Sequence, residues 1–490
     1  MAREFAATFL GLLLPCVAAV AASCESLMSL SIKDASITSA QPVAAGTADF
    51  SGLPAFCRVS ATLKPTSDSD INVEIWLPMS DWNGKYQALG NGGWFGAMDN
   101  GGMAYALARG YAASSTDTGH EGGSASFALG HPEKLIDYAY RSEHEMAVKA
   151  KAIITAFYGR APRVSYWNGC SAGGRQALKE AQRFPEDFDG ILAGAPGYNW
   201  SGRAAHAVWV AQAVHRDQAS YIPPYKYSLI HNAVLEACDA LDGVKDGVLE
   251  DPTRCAFDPV VLQCKDVDSP ACLTAPQVEA ARKIYASVIN PRTKQEIFPG
   301  LEPGSELDWG VLAGPRLFSI ANDFFKYVIF RNPSWDYRTF NFDQDMDYAR
   351  KVDNGTIDAV DPDLKRFFQR GGKLLQYHGW SDWQIAPLAS VRYYQSVVNA
   401  LGRGRVQDSY RLFMVPGMGH CGGGEGPSRL DLLSPLEDWV ERGKAPVRII
   451  GFRSINAKDR TRPLCPYPQV AKYKGSGSTD DAADFTCVAP

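Results

Sequence analysis

The stretch "VSYWNGCSAGGRQALKEAQRF", residues 164–184, decides the fold of this chain. It begins as an apolar strand, turns through glycines and continues with a helical pattern. Gly169 to Gly173 fits G-x-S-x-G, in which a serine occupies a strained turn and flanking glycines let the following helix pack closely. Ser171 is therefore the candidate nucleophile. The alternative is an ordinary glycine turn that opens a helix, because so short a pattern also occurs by chance.

Other strands and helices alternate along the chain on both sides of this turn. "INVEIWLP" (71–78) alternates apolar and polar residues, and "GILAGAPG" (190–197) is typical of a buried strand. Apolar residues at helical spacing predict a helix over 142–157. Strands that alternate with helices predict an α/β fold on a largely parallel sheet.

The alternation fails over residues 201–370, where the chain is rich in aromatic residues, aspartate, proline and cysteine. It then resumes with the predicted strands "GKLLQYHG" (372–379) and "YRLFMVPG" (410–417) and the predicted helices "VRYYQSVVNAL" (391–401) and "LSPLEDWVERG" (433–443). We therefore predict a core in two parts, residues 23–200 and 371–490, interrupted by an inserted domain. The second part ends in a tail of edge strands and loops.

A serine nucleophile needs a histidine base, and the base needs a carboxylate that orients it. With this kind of strand–turn–helix nucleophile, the chain order is serine, acid, histidine. Asp382 follows the strand "LLQYHG", and His420 follows the strand "RLFMV", so both come just after strand ends. We predict Ser171, Asp382 and His420 as the triad. A turn or capping role for Asp382 and a backbone-bonded loop role for His420 are the alternatives. His378 is predicted to be a structural hydrogen-bonding residue.

Two cysteines adjoin the predicted triad. Cys170 precedes Ser171, and Cys421 follows His420, so a nucleophile and base within hydrogen-bond reach bring these cysteines together. A disulfide between them would hold the two loops in place, and misplacement by about an ångström impairs catalysis. In the chain-entropy model, closing so long a loop stabilises the fold by about 4–5 kcal/mol. Two buried free thiols are the alternative.

Composition excludes one class of partner. The chain has 490 residues, a formal net charge of −5 and 21% charged residues, and its sequence shows no block rich in lysine and arginine. Nucleic acid is therefore not an expected partner. With 46% hydrophobic residues the chain can build a large core. None of these quantities determines the oligomeric state.

Residues 1–22 are typical of a secretory signal peptide. Arg3 supplies a positive charge, residues 9–20 form a short apolar run, and small residues precede a predicted cleavage site near Ala22. A membrane anchor is the alternative, but the run is short and no later stretch is long enough for a span. We expect a secreted or periplasmic protein without a membrane span.

Export also bears on the eleven cysteines. Removal of Cys16 with the signal leaves an even number, which favours disulfides in an oxidising compartment. A lipid-anchored Cys24 is the alternative, since small residues precede it.

The order Cys-Ser, Asp, His-Cys resembles the signature of the tannase and feruloyl esterase family. That family consists of α/β-hydrolases and includes mono(hydroxyethyl) terephthalate hydrolase. The blocks that carry the resemblance are "GNGGW" (90–94), "DTGH" (117–120), "NGCSAGGRQ" (168–176), "CDALDGVKDGVLEDPTRC" (238–255), "HGWSDWQIAP" (378–387) and "PGMGHCGGG" (416–424). They extend over essentially the whole mature chain. The resemblance implies an α/β-hydrolase core with a large inserted lid domain.

The resemblance also implies an oxyanion hole. One donor would be the backbone N–H of Ala172, directly after the nucleophile, and the other would be that of Gly93 in the Gly92-Gly93 turn. Such preorganised donors contribute about 2.7–4 kcal/mol each in related chemistry. A plain glycine turn at Gly93 is the alternative.

A cluster of carboxylates in the insertion points to calcium. Three aspartates fall within eight residues, a density of hard oxygen ligands that suits Ca²⁺ without matching an EF-hand loop. The resemblance assigns the ion to the side chains of Asp239, Asp242 and Asp246 and the carbonyls of Val244 and Val248. We expect a structural role, and a solvated acidic turn is the alternative.

The remaining cysteines are predicted to form four further disulfides. Cys238 and Cys255 bracket the aspartate loop and are expected to pair. By resemblance Cys264 pairs with Cys272 and Cys465 with Cys487, which leaves Cys24 with Cys57.

The lid is expected to cover the site and shape the pocket for the acyl group. Its aromatic stretch "RLFSIANDFFKYVIF" (316–330) suits a flat aromatic acid, although such a stretch is more often core than pocket. Arg316 or Lys326 is a candidate partner for a substrate carboxylate. The family accepts ferulates, gallates, chlorogenate-type esters and terephthalate monoesters, and the motifs do not separate these.

These expectations add up to a secreted serine esterase that hydrolyses small-molecule or polysaccharide-linked esters of aromatic acids, most of all feruloyl or hydroxycinnamoyl esters. Galloyl esters and mono(hydroxyethyl) terephthalate are the alternative substrates. A serine peptidase uses the same triad on amides, and a non-catalytic binding protein would need to lack a triad member. Asn199 and Asn354 begin glycosylation sequons that matter only in a eukaryotic host.

Overall fold

The computed structural model describes residues 23–455 and 458–489 of the chain. The predicted signal peptide, residues 1–22, lies outside the described residues, and so does Cys16. Within the described ranges, no helix is both long enough and apolar enough to cross a bilayer.

Strands build one large sheet and three small ones. In chain order the strands are β1 (Ala35–Val43), β2 (Phe56–Leu63), β3 (Ile71–Pro78), β4 (Lys85–Leu89), β5 (Ala112–Thr116), β6 (Val164–Cys170), β7 (Gly190–Gly194), β8 (Val288–Ile289), β9 (Glu296–Phe298), β10 (Lys373–Gly379), β11 (Tyr410–Val415), β12 (Arg429–Leu430), β13 (Ile449–Ile455), β14 (Lys458–Leu464), β15 (Val470–Tyr473) and β16 (Phe485–Val488). The large sheet has nine strands in the order β1-β2-β3-β5-β4-β6-β7-β10-β11.

The type of strand pairing changes once across the large sheet, at β5. β1, β2, β3 and β5 pair antiparallel, whereas β5, β4, β6, β7, β10 and β11 pair parallel. Parallel neighbours bring their carboxyl ends to one edge, where ligands bind in open α/β sheets. The predicted α/β fold with a largely parallel sheet is confirmed.

Helices connect and cover these strands. They are α1 (Asn100–Ala108), α2 (Pro132–Ile136), α3 (Ser142–Tyr158), α4 (Ala172–Arg183), α5 (Trp200–Val214), α6 (Tyr227–Cys238), α7 (Ala275–Tyr285), α8 (Ser319–Asp323), α9 (Gln344–Asp353), α10 (Lys365–Gln369), α11 (Leu388–Leu401), α12 (Arg403–Gln407) and α13 (Leu433–Arg442). Two of the long ones end where a glycine adopts a left-handed conformation, α3 at Gly159 (φ 70°) and α13 at Gly443 (φ 69°). This is the usual C-terminal stop signal.

Both faces of the large sheet are buried. On β6, Tyr166 packs into one hydrophobic cluster and Trp167 into another, and both side chains are fully buried. Successive residues of a strand point to opposite faces, so two apolar layers sandwich the sheet. This burial fixes the position of the turn that follows β6.

The segment between β7 and β10 contributes none of its described strands to the large sheet. It contains α5 to α10, and its two short strands β8 and β9 pair only with each other. Its buried residues, such as Trp309 and Phe325, join the same apolar cluster as the sheet residue Trp167. The boundaries 201–370 for a separate inserted domain stay a prediction.

All five predicted cysteine pairs are bonded in the structure. They are Cys24–Cys57, Cys170–Cys421, Cys238–Cys255, Cys264–Cys272 and Cys465–Cys487, with sulfur–sulfur distances of 1.95 to 2.06 Å. Cys24 is thus occupied by Cys57. Five such pairs indicate an oxidising compartment.

Candidate active site

Ser171 forms the whole turn between β6 and α4. Its backbone angles are φ 64° and ψ −115°, a conformation that a residue with a side chain rarely adopts. The Ser171 N–H donates to the carbonyl oxygen of Gly194 at 2.9 Å, and its carbonyl accepts from the N–H of Gly197 at 3.1 Å. Strain of this kind costs about 1–3 kcal/mol and persists where neighbours fix it. Here the segment after β7 fixes it.

Glycines let α4 approach the sheet at this turn. A Cβ atom on Gly169 would lie 2.6 Å from the carbonyl oxygen of Gly173, and one on Gly90 would lie 2.6 Å from the Cα of Gly173. The Gly173 N–H donates to the carbonyl of Asn91 at 2.7 Å. The turn at Ser171 and the turn after β4 are therefore in direct backbone contact.

Asp382 and His420, predicted as the acid and the base of the triad, are hydrogen-bonded to each other. Nδ1 of His420 lies 2.7 Å from Oδ2 of Asp382. The other carboxylate oxygen accepts backbone N–H groups of Gln384 at 2.8 Å and Ile385 at 3.0 Å. One oxygen of Asp382 thus stabilises its own turn, and the other binds the histidine. The side chain of Asp382 is fully buried.

The charge on Asp382 is stabilised despite burial. Burial alone would raise the pKa of this carboxyl, but the attraction of His420 and the hydrogen bonds from His378 and His420 lower it well below its ordinary value. Asp382 therefore stays ionised over the whole range in which enzymes usually work. An ionised carboxylate at Nδ1 leaves Nε2 of His420 available as a base.

Ser171 and His420 line the same cavity, which has a volume of 640 Å³. The cavity also contains Gly93 and the cysteine pair Cys170 and Cys421. The remaining lining residues come from the end of β4 and the loop after it, the start of α1, the end of β6, the insertion and the Asp382 loop: Leu89, Gly90, Asn91, Gly92, Phe95, Ala97, Met98, Asp99, Gly102, Asn168, Gly169, Ile320 and Gln384. Ser171 and His420 thus share one solvent-accessible space at the carboxyl edge of the sheet.

Of the two predicted oxyanion donors, Gly93 lines this cavity, and Ala172 directly follows the lining residue Ser171. Ala172 is the first residue of α4, so its N–H has no intrahelical acceptor. In the other turn, the carbonyl of Gly92 accepts from the N–H of Phe95 at 2.9 Å. Because a trans peptide places its N–H opposite its carbonyl, the Gly93 N–H points away from that bond. Tyr138 fixes the turn by donating to the Gly93 carbonyl at 2.6 Å.

A second long-range link holds the loop that carries His420. Nε2 of His231, on α6 of the insertion, lies 2.6 Å from Glu425, five residues after His420. Nδ1 of His231 lies 2.8 Å from the buried carboxylate of Glu306. Burial alone would lower the pKa of His231, but the two carboxylates outweigh it and raise the pKa to about 9. No local pattern predicted this ion pair, because its members are remote along the chain.

The aspartate loop in the insertion holds its carboxylates close together. Asp239 accepts the backbone N–H groups of Asp246 and Gly247 at 3.3 and 2.9 Å. Burial, followed by repulsion from Asp246 and Asp239, raises the pKa of Asp242 to about 6, although the Val244 N–H donates to it at 2.8 Å. Such crowding is what a cation relieves.

The same loop also has protein partners. Asp246 forms an ion pair with Arg460 at 3.5 Å and another with Arg462. In the described part of the chain, no group of three or more His, Cys, Asp and Glu side chains is arranged to hold a metal ion. The side chains of Asp239, Asp242 and Asp246 are therefore not gathered around one ion position in this structure. The donor chemistry fits Ca²⁺, and the site stays a prediction.

The aromatic stretch 316–330 lies mostly in the core. Phe324 and Phe325 are fully buried in the main hydrophobic cluster, and within this stretch Ile320 is the residue that lines the catalytic cavity. Arg316 and Lys326 are not among the lining residues. The aromatic side chain in the lining is Phe95, 61% exposed, which the sequence analysis did not select.

Comparisons with known proteins identify relatives of this chain. The family model "Tannase and feruloyl esterase" matches residues 57–488. An uncharacterised esterase of Xanthomonas campestris pv. campestris is 40% identical over 96% of this chain and 92% of its own. "Probable feruloyl esterase B-2" of Aspergillus terreus is 33% identical over 88% of this chain and 86% of its own. The crystal structure of feruloyl esterase B from Aspergillus oryzae superposes with a TM-score of 0.90 at 32% identity and covers 95% of this chain and 99% of that one.

Fold and comparisons together define a carboxylic ester hydrolase with an α/β-hydrolase core. The chain belongs to the tannase and feruloyl esterase family, as its Cys-Ser, Asp and His-Cys motifs predicted.

The disulfide beside the triad should matter more for catalysis than the other disulfides. We expect a Cys170→Ser/Cys421→Ser variant to have a lower kcat. Without the disulfide, the loops that carry Ser171 and His420 can move by about an ångström, and catalysis is sensitive to such displacements. The matched control is Cys264→Ser/Cys272→Ser, a pair in the insertion that closes an eight-residue separation. Steady-state kinetics and melting temperatures would be measured for both. Equal kcat in the two folded variants would contradict the positioning role.

The His231 ion pair should stabilise the fold in a defined pH range. Since the folded-state pKa is raised above the ordinary value of about 6.5, the contribution is fully present below about pH 6.5 and is lost as pH rises through about 9. We expect His231→Gln to melt at a lower temperature than wild type near pH 6.5 and the difference to shrink above pH 9. Glu425→Gln should show the same window in calorimetry. If the melting temperatures of wild type and His231→Gln differ by the same amount from pH 6 to 10, the ion pair does not stabilise the fold in this way.

Proposed function

We propose that the protein is an exported serine esterase that hydrolyses esters of aromatic carboxylic acids, feruloyl and other hydroxycinnamoyl esters foremost. The observation that carries the proposal is the strained Ser171 turn in one cavity with a His420 ring bound to a buried, ionised Asp382. Export is supported by the signal-like residues 1–22 and the five disulfides.

The proposed mechanism is a two-step acyl transfer. His420 takes the proton of Ser171 as its oxygen attacks the ester carbonyl, and Asp382 keeps His420 in the tautomer that can accept it. The N–H groups of Ala172 and Gly93 bind the oxyanion. His420 then gives the proton to the leaving alcohol. In the second step His420 activates water, which attacks the acyl-serine and releases the acid.

The cavity lining supports an aromatic acyl group without a free carboxylate. Phe95, Met98 and Ile320 supply apolar contact surface in the lining, which suits a flat ring. Asp99 places a carboxylate in the same lining and would repel an anionic substrate. The names of the relatives, feruloyl esterase among them, point the same way. Ferulate esters are therefore favoured over terephthalate monoesters, with galloyl esters as the second candidate.

We also propose a structural Ca²⁺ in the insertion, held by the side chains of Asp239, Asp242 and Asp246 and the carbonyls of Val244 and Val248. The crowded, partly buried carboxylates support it. When bound, the ion would neutralise the negative charge of the three carboxylates. It would share with Arg462 the compensation of the charge on Asp246.

The mechanism predicts the effect of two triad substitutions. We expect Ser171→Ala to lower kcat by about 10⁶ and Asp382→Asn to lower it by about 10⁴. Ser29→Ala, at an exposed serine that is not in the cavity lining, is the control and should equal wild type. Product release from methyl ferulate, methyl gallate and mono(hydroxyethyl) terephthalate would be followed by chromatography. Full activity of Ser171→Ala would refute the mechanism, and preferred turnover of the terephthalate ester would refute the substrate assignment.

The calcium proposal predicts a chelator effect. We expect EGTA to lower the melting temperature of the oxidised protein and added Ca²⁺ to restore it, because the ion binds only the folded state. Asp242→Asn should abolish the response. Asp266→Asn, at an exposed aspartate elsewhere in the insertion, should keep it. A wild-type melting temperature that does not respond to EGTA or to Ca²⁺ would exclude the site.

A further inference from the structure

The carboxylate of Asp382 binds a second imidazole besides that of His420. Nε2 of His378 lies 3.0 Å from Oδ2 of Asp382, the same oxygen that accepts from Nδ1 of His420 at 2.7 Å. The side chains of His378 and Asp382 are fully buried. A hydrogen bond to a charge is stronger in such a low-dielectric environment than in water.

The neighbours of His378 define its tautomer. Besides Asp382, Nε2 lies 3.1 Å from the carbonyl oxygen of Ile385. An ionised carboxylate and a carbonyl can only accept, so Nε2 carries a hydrogen. At the other edge of the ring, Nδ1 lies 2.7 Å from the hydroxyl of the buried Ser390, which can donate to it. The ring is therefore oriented from both sides.

Donors surround the Asp382 carboxylate completely. Two backbone N–H groups bind Oδ1, and the two imidazoles bind Oδ2. A carboxylate offers about four lone-pair positions. Loss of the His378 donor would leave one position of a buried charge unsatisfied and would remove one of the two contacts that hold Oδ2.

We propose that His378 is a positioning residue for the acid of the triad: its Nε2–H holds Oδ2 of Asp382 in line with His420, and Ser390 holds His378 in the tautomer that does so. The inference rests on the proposed function, in which Asp382 orients His420. Because His378 is fully buried, it acts through Asp382 and not on the substrate.

The electrostatic consequence has a definite sign. The charged and titratable groups that face Asp382 are His420, His378 and, at longer range, the buried guanidinium of Arg203. A neutral His378 points the positive end of its N–H dipole at the carboxylate and so weakens the pull of that carboxylate on a protonated His420. Without this dipole, His420 should be easier to protonate.

Kinetics of His378→Leu test the proposal. We expect kcat toward the preferred ester to fall about 10- to 100-fold, as for other residues that support a catalytic ligand, with little change in KM. The acid limb of the pH profile, where kcat/KM falls as His420 becomes protonated, should move to higher pH. His378→Gln, which keeps a donor, should recover most of the loss in kcat. The low-field proton NMR signal of the His420 Nδ1–H should shift in His378→Leu, which reports the contact without relying on activity.

Ser390→Ala is the second test. It decides the question in the event that His378→Leu does not fold. We expect a smaller fall in kcat and an acid limb that moves in the same direction. The matched control is Ser396→Ala on the same helix, where the hydroxyl donates to the Tyr393 carbonyl; it should equal wild type. A folded His378→Leu with wild-type kcat and pH profile would overturn the proposal, as would His378→Gln no better than His378→Leu. If only Ser390→Ala folds, an unchanged kcat and acid limb would overturn it.

The Ser171→Ala variant separates this inference from the proposed function. Activity that survives in Ser171→Ala would refute the mechanism itself. Loss of activity in Ser171→Ala with a normal His378→Leu would refute the role of His378 alone.

Discussion

The contact between α4 and the sheet at Gly173 governs the geometry of the site. Because neither Gly90 nor Gly173 has a side chain, two backbones touch, and the Gly173 N–H reaches the carbonyl of Asn91. This contact sets the start of α4 against the turn after β4, where Gly93 lies. It also sets the strained Ser171 turn, at the start of α4, beside the turn after β4, so one close approach brings together the proposed nucleophile and the proposed oxyanion donors.

Burial of the acid imposes a second constraint. A carboxylate removed from water must be surrounded by donors, or it takes up a proton and can no longer orient its histidine. Asp382 meets this demand with the backbone of its own turn on one oxygen and with His420 and His378 on the other. The local sequence "HGWSDWQI" therefore supplies both the acid and most of its solvation shell, which explains why a histidine inside a buried strand is part of the site.

The sequence predicted those features that local pattern determines. The strand–glycine–helix pattern made Ser171 a triad candidate, and the order of strand ends did the same for Asp382 and His420. Adjacency to these residues predicted the Cys170–Cys421 pair, which the structure confirms. The aromatic stretch of the insertion was ambiguous, since periodicity cannot distinguish a core from a pocket wall. Contacts between remote segments, such as that of His231 with Glu425, depend on how the insertion packs and leave no local signal.

The loop that carries His420 is fastened in two physically different ways. The Cys170–Cys421 disulfide ties it covalently to the end of β6 and does not depend on protonation. The ion pair of Glu425 with His231 ties it to the insertion and exists only while the imidazole is charged. The insertion also reaches the turn after β4, which holds the proposed oxyanion donor Gly93, because Trp94 donates its indole N–H to the carbonyl of Ile320 at 3.0 Å. The insertion thus contacts both the base side and the oxyanion side of the cavity, so its packing bears on the alignment of the site as well as on access to it.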